Sequence, residues 1–195
     1  MIATNLAEGV QRMTSNAYFV DGDTPTLIDV GAGFDIIERI EQVSQGSIPA
    51  QVILTHTHPD HVGNVDTVRD AFDIDVYGID AQSRFVDTPL EHGEHVQVGD
   101  STYEVWFTPG HAPDHLCLYS STERVLFSGD LIFPHGGVGR TDLPGCDHRD
   151  LVESIKFVVE HVDDDLKGLF AGHGPIIEQS AYDHVLAAAR LVEHT

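Results

Sequence analysis

Apolar runs and helical patterns alternate along the whole chain. Residues 17–20 and 26–30 are short apolar runs on either side of an Asp-Gly-Asp-Thr-Pro turn, which predicts two strands. Residues 35–43 carry apolar side chains at 36, 37, 40 and 43, one face of a helix. Residues 52–54 predict a strand that runs into a polar, histidine-rich loop. Residues 62–72 read as a helix and 76–79 as a strand. Residues 96–98 and 103–107 alternate around Gly99-Asp100, a hairpin pattern, and 116–119 and 125–127 flank another turn. Residues 151–162 repeat apolar positions at helical spacing, 169–171 form a brief strand, and 181–192 form a final amphipathic helix. No linker, repeat or low-complexity tract interrupts the order. Strands with interspersed helices, some joined by hairpins, predict one mixed α/β layered domain over residues 1–195 rather than a purely parallel sheet.

Composition narrows the chemistry. The 195 residues are 41% hydrophobic, enough to bury a core and to exclude wholesale disorder. Asp and Glu total 32 against 10 Lys and Arg, a formal net charge of −22. Such a chain repels phosphate backbones and anionic membranes, so the expected partner is a small-molecule substrate and neither nucleic acid nor membrane. The acidity is mostly aspartate and the lysines are only Lys156 and Lys167, a balance that suits a salt-rich cytoplasm. Cys117, inside an apolar run, reads as a buried strand residue, and Cys146 as a loop residue; two isolated cysteines make no disulfide framework. No signal-peptide pattern and no apolar run of about 18 residues is present, so a cytoplasmic location is expected.

The strongest chemical signal is His56-Thr-His-Pro-Asp-His61, directly after the 52–54 strand. In an extended segment His56 and His58 point the same way and can share one cation, while the following turn can aim Asp60 and His61 at a second position. With 13 histidines in 195 residues, chance alone gives roughly 0.006 matches to this pattern, so a solvated histidine-rich loop is a poor explanation. Three more strand ends carry a ligand-capable side chain beside glycine. They are Thr108-Pro-Gly-His111, Ser128-Gly-Asp130 and Ala171-Gly-His-Gly174.

The motifs HTHPDH, TPGH, SGD and GHG, in this order and at these spacings, resemble those of the metallo-β-lactamase superfamily. The resemblance extends from Asn16 to Gly174 and implies an αββα sandwich, two mixed β-sheets between outer helices. It also implies two divalent metal ions. His56, His58 and His111 would hold one, Asp60, His61 and His173 the other, and Asp130 would bridge them. Zinc is the expected ion, with iron and manganese as alternatives. Asp29 would be a carboxylate behind the ligands. A hydroxide held between such ions is a nucleophile near neutral pH, Asp60 would orient it and shuttle a proton, and no serine or cysteine nucleophile is required.

The stretch Gly-Val-Gly-Arg-Thr-Asp-Leu-Pro-Gly at 137–145 is similar to the loop after the bridging Asp in glyoxalase II-like thioesterases and in persulfide dioxygenases. A thioester hydrolase acting on a low-molecular-weight thiol is therefore the expected function, with a mononuclear-iron persulfide dioxygenase as the alternative. Arg140 and His135 are the candidate substrate contacts, Arg140 for a carboxylate or as a loop-fixing ion pair. About twenty residues follow Gly174, so no counterpart of the C-terminal helical region of full-length glyoxalase II is expected, and the resemblance is to the short glyoxalase II-like hydrolases. A β-lactamase reading is set aside because that family departs from the second-site Asp–His pattern and usually carries a signal peptide. A nuclease reading conflicts with the acidity. Of the other histidines, His115 is a candidate for a place behind the ligands. His92 and His95 are expected in a solvated acidic loop, and His148, His161, His184 and His194 on solvated helix positions. The 163–165 aspartate run is expected to be a solvated turn.

Overall fold

The computed structural model describes residues 3–193. These fall into two compact units, one of residues 3–90 with 97–101, the other of residues 91–96 with 102–193.

In the first unit the two apolar runs become β2 (Tyr18–Val20) and β3 (Thr26–Ile28), paired antiparallel across the turn. The next two runs, β4 (Gln51–Ile53) and β5 (Asp75–Gly78), add in parallel and continue a six-stranded sheet. It is closed at its edges by β1 (Thr4–Asn5) and β6 (Thr88–Pro89), two-residue strands too short to leave an alternation in the sequence. Helix α1 (Ile36–Val43) starts where Asp35 accepts a hydrogen bond from the Glu38 amide, 3.1 Å, satisfying one of the free N–H groups of the first turn. Ile36 and Ile40 of α1 pack with Val65 and Val68 of α3 (Val65–Phe72) on Leu27, Val52 and Val76 of the sheet.

The expected helix over 62–72 is divided. Pro59–Val62 forms a short helix, α2, and α3 begins only at Val65. Asn64 makes the break. Its amide donates to the Gly31 carbonyl, 3.1 Å, and its side chain to the Val30 carbonyl, 2.9 Å. Those bonds bind the chain to the segment after β3 instead of continuing the helix.

A second sheet, drawn mostly from the second unit, is ordered β11-β10-β9-β8-β7. These strands are β7 (His95–Val98), β8 (Ser101–Phe107), β9 (Leu116–Ser120), β10 (Val125–Gly129) and β11 (Gly168–Ala171). Neighbours are antiparallel from β8 to β10, and β11 joins β10 in parallel. Every residue of β9, β10 and β11 is buried, as expected for strands with apolar side chains on both faces. Helices α4 (His148–His161) and α5 (Ala181–Val192) supply Leu151, Ile155, Val158, Val185 and Ala188 to a core with Trp106, Leu126 and Leu169. Helix α4 starts three residues before its apolar pattern because Asp147 caps it, accepting from the Arg149 and Asp150 amides. His95 opens β7 and is not a loop residue, although it is exposed as expected. His194 lies outside the described residues.

No described helix is long and apolar enough to cross a membrane.

Candidate metal centre

The first unit assembles its histidines around one carboxylate. Parallel pairing of Ile28 with Ile53 makes β3 and β4 end side by side, so Asp29 emerges next to the start of the His56–His61 segment. Asp29 is buried and stands at φ 54°, a conformation uncommon for a residue with a side chain. Its contacts show what holds it there. Oδ1 accepts from the Thr55 amide, 2.8 Å, and Oδ2 accepts from the Thr55 hydroxyl, 2.8 Å, and from His61 Nδ1, 2.7 Å.

These bonds fix two ring tautomers. An ionised carboxylate only accepts, so His61 carries its proton on Nδ1, and Nε2 is its lone-pair nitrogen. The Thr55 hydroxyl donates its hydrogen bond to Asp29, so it accepts from His56 Nδ1, 3.1 Å, and His56 likewise presents Nε2. His56 Nε2 lies 3.0 Å from His58 Nδ1, and the His56 and His61 ring centroids are 4.0 Å apart. Asp60 precedes His61 in α2, which Pro59 starts with φ preset for a helix.

The second unit does the same from three strand ends. Gly129 of β10 is paired with Ala171 of β11, and the register shifts between Phe127 and Gly129, so the chain bends as it delivers Asp130. His111 follows β8 and His173 follows β11. Both place Nε2 3.4 Å from the same oxygen, Oδ2 of Asp130. Each separation suits a cation shared between that histidine and Asp130. Donors about 2.1 Å from a tetrahedral centre lie about 3.4 Å apart. His111 is oriented by the Arg140 carbonyl, which accepts from Nδ1 at 2.9 Å and leaves Nε2 as the donor atom. The loop reaches this position because residue 139 is glycine. A Cβ there would stand 2.1 Å from the Asp130 carbonyl oxygen and 2.8 Å from the His111 side chain. Within the second unit, two imidazole nitrogens facing one carboxylate oxygen are donors of the kind that divalent zinc, iron or manganese accepts, and in the first unit His56 and His61 present oriented imidazole nitrogens of the same kind.

His115 is buried and braces Asp130. Its Nε2 accepts from the Asp130 amide, 3.0 Å, so Nδ1 carries the proton and donates to Thr108 Oγ1, 2.9 Å. Thr108 donates onward to Cys117 Sγ, 3.4 Å, and Cys117 to the Ser128 carbonyl, 3.6 Å. The chain of bonds leaves and re-enters the same strand end, two residues apart. Burial pushes the Cys117 thiol up to about 12, so it remains a neutral donor.

The remaining candidates make other contacts. Arg140 makes a two-pronged ion pair with Asp142, both bonds 2.6 Å, and is exposed. His135, at φ 63°, donates its amide to His184 Nδ1, 2.7 Å, and the two rings are 5.3 Å apart. His92 is not merely solvated, since its Nδ1 accepts from the Phe107 amide, 3.1 Å. His161 stacks on Phe157, with centroids 4.1 Å apart. Cys146 is a loop thiol donating to the His111 carbonyl. The sequence reading missed the two threonine hydroxyls that set the tautomers and the glycine at 139. Their only signal is adjacency, with Thr55 just before the histidine motif and Thr108 opening TPGH.

Comparison with known proteins agrees with this chemistry. A family model described as the metallo-β-lactamase superfamily matches residues 10–173. "Probable metallo-hydrolase YqgX" of Bacillus subtilis is 33% identical over 83% of this chain and 85% of its own. "Hydroxyacylglutathione hydrolase GloC" of Haemophilus influenzae is 28% identical over 79% of this chain and 82% of its own. Among solved structures, the BLEG-1 B3 metallo-β-lactamase superposes with a TM-score of 0.74 at 31% identity, covering 89% of this chain and 94% of that one. TTHA1623, solved in a di-iron-bound form, gives 0.73 at 30% identity, covering 91% and 94%.

Proposed function

Because the chain belongs to the metallo-β-lactamase superfamily, whose αββα fold class it shares, we propose that it is a metal-dependent hydrolase of thioesters formed by low-molecular-weight thiols. One ion is assigned to His56, His58 and His111, a second to Asp60, His61 and His173, and Asp130 to both. Zinc is the ion proposed, and the di-iron form of a relative makes iron the one to assay beside it. Two such ions, when bound, lower the pKa of a shared water and polarise the scissile carbonyl. The protein's own part is orientation. Asp29 and Thr55 hold His61 and His56 in the tautomers that ligate, and the Arg140 carbonyl does so for His111. Asp60 is assigned the proton of the attacking water, which its carboxylate accepts and passes to the departing thiolate. Arg140 is assigned to an anionic group of the substrate, exchanging its Asp142 partner, with His135 as a second contact. The acidic surface is read as that of a protein working inside a salt-rich cell.

The observation that carries this reading is the 137–145 loop. It resembles the glyoxalase II-like loop in sequence and is bonded directly to the candidate ligand His111. Support comes from the hydroxyacylglutathione hydrolase relative, which this chain matches over most of both lengths. The test is protein purified without added metal, its ions counted, then assayed on S-D-lactoylglutathione and on lactoyl thioesters of other thiols. Two ions per chain and thioester turnover without oxygen uptake are expected. One iron per chain with persulfide-dependent oxygen uptake would replace the reading by a dioxygenase, and turnover of a β-lactam alone by a lactamase.

A further inference from the structure

His184 stands on a helix position that the sequence marks as solvated, yet it is half-buried and bonded to a segment far from it in the chain. Its Nδ1 accepts from the His135 amide at 2.7 Å, so Nδ1 is its lone-pair nitrogen. The amide belongs to a tight turn, Pro134–Gly136, whose backbone is costly to hold. His135 has φ 63°, and Gly136 follows at φ 76°. Two successive left-handed residues, the first with a side chain, persist only where their surroundings hold them. Gly136 lies so close to α5 that a Cβ there would stand 2.5 Å from Ala187 Cβ. The Phe133 amide closes the turn by donating to the Gly137 carbonyl, 2.7 Å. Helix α5 is thus the surface on which the turn is moulded, and His184 is the side chain that bonds it there.

On its other side the turn reaches the strand end that carries His173. The Phe133 ring stands edge-on to the His173 ring, with centroids 6.0 Å apart and planes at 63°. Pro134 lies over Gly174, where a Cβ would stand 3.2 Å from Pro134 Cγ. Phe133 also follows Asp130 by only three residues and leads into the 137–145 loop. One small turn therefore links helix α5 to the candidate ligand His173.

We propose that His184 is a positioning residue for His173. By holding the His135 amide it fixes the turn, and the turn fixes Phe133 against one side of the His173 ring. The inference rests on the assignment of His173 as a ligand in the proposed function, and not on which substrate that site takes.

The test uses the full chain loaded with cobalt. H173A identifies the visible bands that depend on His173. H184L, which fills similar space without an acceptor, should shift those bands and lower cobalt affinity about tenfold in chelator competition. H184N, whose Oδ1 takes the place of Nδ1, should restore both. F133A should shift the same bands, and H184L added to it should shift them little further, because the two changes break one link. The His135 amide should exchange its hydrogen about tenfold faster in H184L than in the parent or H184N. V192A truncates a core residue about two turns further along α5 and should lower the urea midpoint while leaving the bands in place. The proposal is overturned if H184L keeps the parent's bands and affinity, if H184N fails as H184L does, or if V192A shifts the bands as far. Bands indifferent to H173A overturn it together with the assignment of His173. Absence of thioester turnover with the band pattern as expected would overturn the hydrolase reading alone.

Discussion

Asp29 is not among the candidate ligands, yet its Oδ2 decides which nitrogen His61 offers and, through the Thr55 hydroxyl, which nitrogen His56 offers. Replacing it with alanine should lower metal affinity by about 10–100-fold, read by chelator competition. His115 stands in the same relation to Asp130. H115M removes the acceptor for the Asp130 amide and should weaken metal binding and alter the visible spectrum of the cobalt-substituted protein. H115Q, which restores an acceptor at similar reach, should recover much of both. Equal loss in the two variants would reduce His115 to packing. Cys117 sets a pH limit. Burial pushes the folded thiol up to about 12, well above its ordinary value. Below the unfolded pKa the thiol is neutral in both states and the packing contribution is complete. As pH rises above about 9 only the unfolded thiol ionises, so stability falls from there towards the folded pKa. C117A should flatten that decline in denaturant midpoints measured from pH 8 to 11. Cys146 should react with a thiol reagent in the native protein, and Cys117 only after unfolding.

At the level of elements, strand ends deliver donors and neighbouring backbone fixes where each strand end points. The loop carrying His111 is latched to α4, since the Asp147 amide donates to the Gly110 carbonyl, 2.8 Å, and the Ser154 hydroxyl to that of Pro109, 2.7 Å. A Cβ on Gly110, which sits at φ 136°, would stand 2.2 Å from the Leu151 amide nitrogen. G110A should therefore cost about 3 kcal/mol or more by urea unfolding, against about 1 kcal/mol for removing the α4 cap with D147A. What the sequence disclosed follows this division. Periodicity located α5 and the long strands, and the HTHPDH, TPGH, SGD and GHG motifs marked the candidate donors, because both are written in side-chain type. The break at Asn64 was hidden, because Asn64 leaves the helical pattern to bond a segment thirty-odd residues away. The two edge strands were hidden for want of length. The bracing threonines were hidden because a hydroxyl's role depends on three-dimensional neighbours rather than spacing.

For the molecule as a whole, a net charge of −22 on 195 residues makes self-repulsion a term that salt controls. Asp29, Asp60 and Asp130 belong to the candidate site, and most of the remaining acid is on the surface. Unfolding in dilute buffer should thus occur at lower urea than in molar potassium chloride. An equal midpoint in the two would withdraw the salt-adapted reading and leave the proposed hydrolase untouched. The Arg140 carbonyl has a consequence for divergence. Position 140 supports His111 through an atom that every amino acid possesses, while its side chain extends into solvent. Mutation can therefore sample new side chains there, and with them new substrates, without disturbing the imidazole behind. Gly139, one residue earlier, allows no such drift. The loop thus keeps inheritance and innovation on adjacent residues, an arrangement by which one metal-binding scaffold can change its substrate while keeping its reaction.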